Sequence, residues 1–148
     1  MRSKTTSWFE TKIRYDKTME DGRNKKVTEV YTVEALSFTE AESAITEEML
    51  HYISGEFDVK AITPAAYGEI FFSDSDSDDK WFKVRLAFIT IDEKTEKEKR
   101  SNVVYLVQAA SLDNARQYVN EVMDKTVIDY EVVSISETPI MDVFEKTK

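Results

Sequence analysis

The sequence predicts an α+β fold made by tandem duplication of a strand–strand–helix–strand–strand unit, and three observations carry the prediction. The first is self-similarity. Slid by 73 positions, the chain places Trp8-Phe9 on Trp81-Phe82, Lys12-Ile13 on Arg85-Leu86 and Tyr15 on Phe88. A shift of 74 then matches Tyr31, Val33, Ala35, Ser37 and Ala41 with Tyr105, Val107, Ala109, Ser111 and Ala115, and Ile45 and Met49 with Val119 and Met123. A return to 73 matches Phe57, Val59, Ile62 and Ile70-Phe71 with Tyr130, Val132, Ile135 and Val143-Phe144. Agreement over that many blocks is the signature of an internal repeat, and one-residue slips are what loop insertions produce. The second observation is a change of hydrophobic period from two to about 3.6 and back within each copy. The third is composition: three Gly and two Pro in 148 residues leave little room for long irregular segments.

Each element follows in order. WFETKIRYD and WFKVRLAFITI alternate apolar and polar residues, so they read as strands with Phe9, Thr11, Ile13, Tyr15 and Phe82, Val84, Leu86, Phe88 on the core side. KTMEDGRNKK and DEKTEKEKRSN are charged hairpin connections, the first with Asp21-Gly22 as its tight turn. VTEVYTVEA and VVYLVQA are the returning strands. In SFTEAESAITEEMLHYISG the apolar residues Ala41, Ile45, Met49 and Tyr52-Ile53 recur at helical spacing. Ser37 and Glu40 form a capping-box pattern at its start, and Gly55 is the expected stop. SLDNARQYVNEVMDK repeats the helix, with Ser111 as cap and Ala115, Val119 and Val122-Met123 as its face. FDVKAIT and YEVVSIS are strands, followed after Pro64 and Pro139 by the shorter YGEIFF and IMDVFE.

The predicted organisation is a first ββαββ repeat over 1–73, an acidic joint over 74–79 and a second ββαββ repeat over 80–148, together forming one compact domain. An antiparallel sheet, or two related sheets, would carry both helices on one face with an approximate two-fold.

Composition limits what such a fold can do. The chain is 41% hydrophobic and 33% charged, with aromatics enough for a packed interior. It has no cysteine, which excludes disulfides, thiolate metal sites and cysteine catalysis. The opening MRSKTTSWFETK lacks the apolar core of a secretory signal, and no apolar run approaches the roughly 18 residues of a membrane span. A cytoplasmic location without membrane partners is the expectation. The net charge of −9, four charges of it from Asp74, Asp76, Asp78 and Asp79, argues against nonspecific duplex DNA binding.

Few residues offer chemistry. His51 is the single histidine and has no second ligand at metal spacing. No phosphate loop, dinucleotide fingerprint, nucleophile elbow or His-Glu-x-x-His is present. Asp74, Asp76 and Asp78 have the alternate spacing of a calcium loop, but Asp79 stands where its glycine belongs and Arg85 where its bidentate Glu belongs. The run reads as a solvated joint. Paired carboxylates such as Glu47-Glu48 lie on the outward helix face. No metal, no cofactor and no catalytic group is expected, and the protein reads as a non-enzyme.

The far side of the first strand of each copy is more suggestive. Alternation places Trp8, Lys12 and Arg14 there in one copy and Trp81, Lys83 and Arg85 in the other. An aromatic ring beside cations on a sheet face is how single-stranded nucleic acid is held, bases on the ring and phosphates on the cations. The structural alternative is that the two indoles cap the core and the cations solubilise the sheet. The same face continues with Ala87, Ile89 and Ile91, and with Val104 and Leu106 of the next strand. That surface is too apolar for water, so it either packs within the chain or binds a second copy or another protein.

The stretches SWFETKIRYDKTMEDGRNKKVTEVYTVEALSFTEAE, EIFF before the acidic joint and KWFKV after it resemble an uncharacterised family of small proteins from gut Bacteroidetes and their phages. The resemblance covers nearly the whole chain. It implies a setting among phage or mobile-element genes and carries over no catalytic residue. The expected function is therefore a binding module for single-stranded nucleic acid, or alternatively a protein-binding or regulatory scaffold that self-associates through its sheet face.

Overall fold

Alternation along a strand turns one row of side chains to a helix and the other row away from it, and this arrangement is built twice. In this computed structural model, which describes residues 1–146, the element order is β1 (Arg2–Thr5), β2 (Trp8–Thr18), β3 (Asn24–Glu34), α1 (Phe38–Tyr52), β4 (Phe57–Pro64), β5 (Glu69–Phe72), β6 (Lys80–Ile91), β7 (Glu98–Ala109), α2 (Leu112–Met123), β8 (Asp129–Glu137) and β9 (Ile140–Phe144). The class is α+β, with two helices and two sheets, ordered β1-β5-β7-β6-β8 and β4-β2-β3-β9. Both sheets are mixed rather than antiparallel, because β5 runs parallel to β7 and β9 parallel to β3. Two compact units contain them. One comprises Met1–Thr5 with Ala66–Thr138, the other Thr6–Ala65 with the chain from Pro139 onward.

The short last strands are therefore exchanged. β5 follows β4 in the chain but completes the sheet of β6, β7 and β8; β9 follows β8 but completes the sheet of β2, β3 and β4. For β9, chain length gives the reason. To pair with β7 within its own half, β9 would have to cross from β8 over three strand spacings, about 14 Å. Only Thr138 and Pro139 separate β8 from β9, and three Cα steps reach about 11 Å at most. The link from β4 to β5 has two more residues and at about 18 Å fully stretched could span the same distance, so length alone does not direct β5. Composition agrees. β5 is a continuous apolar run whose Ile70, Phe71 and Phe72 are all buried, as suits a strand covered on both faces. The polar β1, with no periodicity to announce it, lies along its outer edge.

Each helix covers one face of its own sheet. Phe9, Ile13, Tyr31 and Val33 pack against Ala41, Ile45 and Met49 of α1. Phe82, Val84, Leu86 and Val107 pack against Ala115, Val119 and Met123 of α2. The core rows of β2 and β6 are those that alternation assigns. Thr11 is fully buried among them because its hydroxyl donates to the Tyr31 carbonyl at 2.9 Å. Ser37 and Ser111 cap the helices, each Oγ accepting an N–H at 3.1 Å, from Glu40 and Asn114; such caps contribute about 1 kcal/mol. α1 ends before the expected glycine stop: Ile53 is its C-cap and donates to the Met49 carbonyl. Gly55 is not in the left-handed region, which among the glycines only Gly22, at φ 83, occupies, in the first hairpin turn. In the second hairpin Glu96 takes that region instead, at φ 56. The hairpins are tighter than their charged sequences suggest, because backbone pairing continues beyond the helix-covered part of each sheet, where the side chains are exposed.

Candidate binding surfaces

The six residues expected to hold nucleic acid are split three and three between the units. Lys12 and Arg14 lie two apart on β2, opposite Val30 and Thr28 of β3, and both are exposed. Arg85 on β6 is exposed as well. The indoles are not: Trp8 and Trp81 are each 3% exposed. Trp81 meets Phe72 edge to face, with centroids 5.8 Å apart, and the Arg2 guanidinium lies 4.1 Å over the other aromatic of that pair, Phe72. Lys83 is half-buried, its Nζ 5.8 Å over the Tyr67 ring. Alternation correctly puts each tryptophan on the side away from its helix, yet at the tryptophans that side is not wet, while Lys12, Arg14 and Arg85 further along it are exposed. A buried indole offers no face for a base, so the structural alternative describes both tryptophans.

The apolar row of β6 and β7 is only partly available. Ala87 and Leu106 are buried, Ile89 and Val104 half-buried. Ile91 alone stands out at 71% exposed. With Ile89, Val127 and Ile128 it lines an open depression of about 640 Å³ rimmed by Glu96, Glu98 and Asp129. The exposed patch thus sits at the hairpin end of the sheet, not at its centre.

The joint is not simply solvated either. Asp74, Asp76 and Asp79 are exposed, and Asp74 pairs with the N-terminal amine at 2.8 Å, which holds its carboxyl below the usual range. Asp78 turns inward to 4% exposure. Its carboxylate accepts from the Ser73 hydroxyl and from Tyr118 on α2 at 2.5 Å. Its carbonyl accepts from Gln108 Nε2 at 3.0 Å, while Gln108 Oε1 accepts the Ser73 N–H at 3.0 Å. A buried carboxylate needs such donors. Among the described residues no three His, Asp or Glu side chains converge as a metal would require, and no helix is long and apolar enough to cross a membrane.

In the other unit Glu29 Oε1 accepts from Tyr15 at 2.9 Å and Tyr31 at 3.1 Å, with Lys17 Nζ 3.8 Å from Oε2. Burial first, then the hydrogen bond and charge of Glu29, push Tyr15 up to about 12. Burial and Glu29 push Tyr31 up further. A phenol that keeps its proton longer folded than unfolded stabilises the fold below the unfolded value near 10, and that contribution is lost as pH rises from there through the folded value. In an ultraviolet titration Tyr15 and Tyr31 should therefore ionise last, and the Glu29→Gln variant should bring both down. Tyrosines that all titrate together near 10 would contradict this.

One surface does not stand out in the sequence. Phe38, Thr39 and Glu42 of α1 and Val59, Lys60, Ala61 and Ile62 of β4 line an open groove of about 350 Å³. Phe38 is 54% exposed and touches Phe9 edge-on at 5.2 Å. Val59 and Ile62 are half-buried against the core beneath it. The single sequence signal is an apolar Phe38 just after the cap, off the Ala41–Ile45–Met49 stripe.

A family model, the domain of unknown function DUF4494, matches residues 7–146. No curated protein and no solved structure matches the chain.

Proposed function

From the premise that this chain belongs to the DUF4494 family, whose description carries no activity, we propose that it is a non-enzymatic binding module whose partner is a protein. The observation that supports this reading is the distribution of exposed apolar side chains. Phe38 at the start of α1 stands exposed beside half-buried Val59 and Ile62 of an outer strand, and Ile91 stands exposed at the end of a hairpin with Val127 and Ile128 of the α2–β8 loop beside it, whereas the tryptophans that would stack bases are buried. Apolar groups at a strand edge favour a partner with its own apolar groups and backbone to pair. The exposed Lys12, Arg14 and Arg85 support the second reading, a single-stranded nucleic-acid binder, which would have to draw its affinity from phosphates without stacking. The phage or mobile-element setting rests on the sequence resemblance, and a cytoplasmic location on the cysteine-free composition.

Two measurements separate the readings. Anisotropy of a labelled single-stranded oligonucleotide should show no binding even at low salt; salt-sensitive binding that Lys12→Ala and Arg14→Ala weaken would favour the second reading. Photocrosslinkers introduced at Phe38, Arg85 and Ile91 in the producing cell should trap a discrete protein adduct from at least one position. Nucleic-acid adducts alone, or none at all, would sink the protein-binding reading.

A further inference from the structure

We infer that the groove between α1 and β4 takes an extended segment of a partner protein as an added strand, reading an apolar residue next to a Lys or Arg; the inference rests on the protein-binding reading above. β4 is the outermost strand of its sheet and pairs on one side only, with β2. Its free edge can be read off the ladder. The Ala65 N–H donates to the Trp8 carbonyl at 2.9 Å. Antiparallel ladders alternate, so Thr63 and Ala61, opposite Glu10 and Lys12, also turn their backbone groups towards β2. The backbone groups of Ile62 then point off the sheet. Pro64 falls on the same outward side, where its missing N–H costs no ladder bond. The register slips between Lys12 and Ile13, where Lys60 is the extra residue. Asp58 opposite Arg14 is again turned inward, and Val59 outward.

The residues with outward backbone groups are those whose side chains form the groove. Ile62 and Val59 present an N–H and a carbonyl to a new strand and half-buried apolar side chains to its residues. A segment laid along them would turn alternate side chains down onto Phe38 and the first turns of α1. This demands an extended backbone, which a helix cannot supply.

Charge narrows the segment further. Lys60, on the strand side, lies 3.9 Å from Asp58. Glu42, on the helix side, is exposed and has no ion-pair partner among the described residues. The rim therefore has one uncompensated carboxylate, and a basic residue beside the apolar anchor would complement it.

The test uses the full chain and a displayed library of random peptides, with the tightest binder resynthesised. Enriched peptides should share an apolar residue adjacent to Lys or Arg and lack a central proline. Binding should slow hydrogen exchange at the Ile62 and Val59 amides. It should weaken by roughly tenfold or more in Phe38→Ser and in Glu42→Lys, two exposed substitutions whose fold circular dichroism can verify. Methylating alternate peptide amides should abolish it. The inference is overturned if no peptide is enriched, if a bound peptide leaves those two amides unprotected, or if the amides become protected at high protein concentration without peptide, which would make a second copy the occupant. Protein adducts from Ile91 but none from Phe38 would leave the protein-binding reading standing and remove this site.

Discussion

Separately produced halves, 1–79 and 80–148, are expected not to fold alone and to regain the native spectrum when mixed. The first half lacks β9, and with it buried Ile140 and Val143 and the Phe144 ring stacked on Tyr31 at 5.6 Å. Full burial of such side chains is worth about 1.5–3 kcal/mol each. The loss is therefore of the order of 5 kcal/mol, comparable to the whole stability of many domains. It also uncovers the edge of β3 from Val30 to Val33, a template for aggregation. The second half loses more: Ile70, Phe71 and Phe72 are all buried, and Phe71 meets Tyr105 edge-on at 5.1 Å. β9 cannot substitute, because its two-residue link to β8 is too short to reach the edge of β7. Circular dichroism and amide dispersion of each half and of the mixture would decide. A cooperative unfolding transition in either isolated half would show that the exchange of strands is dispensable.

Asp78→Ala should destabilise the protein by about 3 kcal/mol, while Ala at Asp74, Asp76 or Asp79 should change stability by less than about 0.5 kcal/mol. The four residues look alike in SDSDSDD. Only Asp78 is buried, and Ala would leave Ser73 and Tyr118 without their acceptor. Hydrogen bonds to a charged group are worth about 1.5–3 kcal/mol, and an orphaned buried donor adds its own penalty. Tyr118→Phe removes one of the two bonds and should cost about half as much. Urea midpoints at constant slope measure all five variants. Equal midpoints for the four Asp→Ala variants would mean that the inward turn of Asp78 contributes nothing.

Whatever depends on neighbours in sequence was legible. The core rows of β2 and β6, the stripes Ala41–Ile45–Met49 and Ala115–Val119–Met123, and the caps Ser37 and Ser111 are all set by period and local hydrogen bonding, which act over a turn or two residues. The candidate site was legible only as far as parity. Alternation put Trp8 and Trp81 opposite the helix-covered row, but parity does not say whether the other row is wet. Apart from Phe38 standing off the helix stripe, the groove was not legible, because it needs an outer strand and a helix terminus to come together.

The sequence by itself thus determined the α+β class, the placing of helices and long strands, and the face each turns to its core, since binary pattern and capping suffice for these. Only the tertiary structure decided which strands are neighbours. The β8–β9 link, too short to double back, sends β9 across to the other unit, while β5 crosses in the opposite direction; both sheets become mixed and β4 is left with an open edge. Burial of Trp81 against Phe72 and of Asp78 beneath Tyr118 follows from the same long-range pairing, because the contacts that shield them come from residues that are not their neighbours in the sequence.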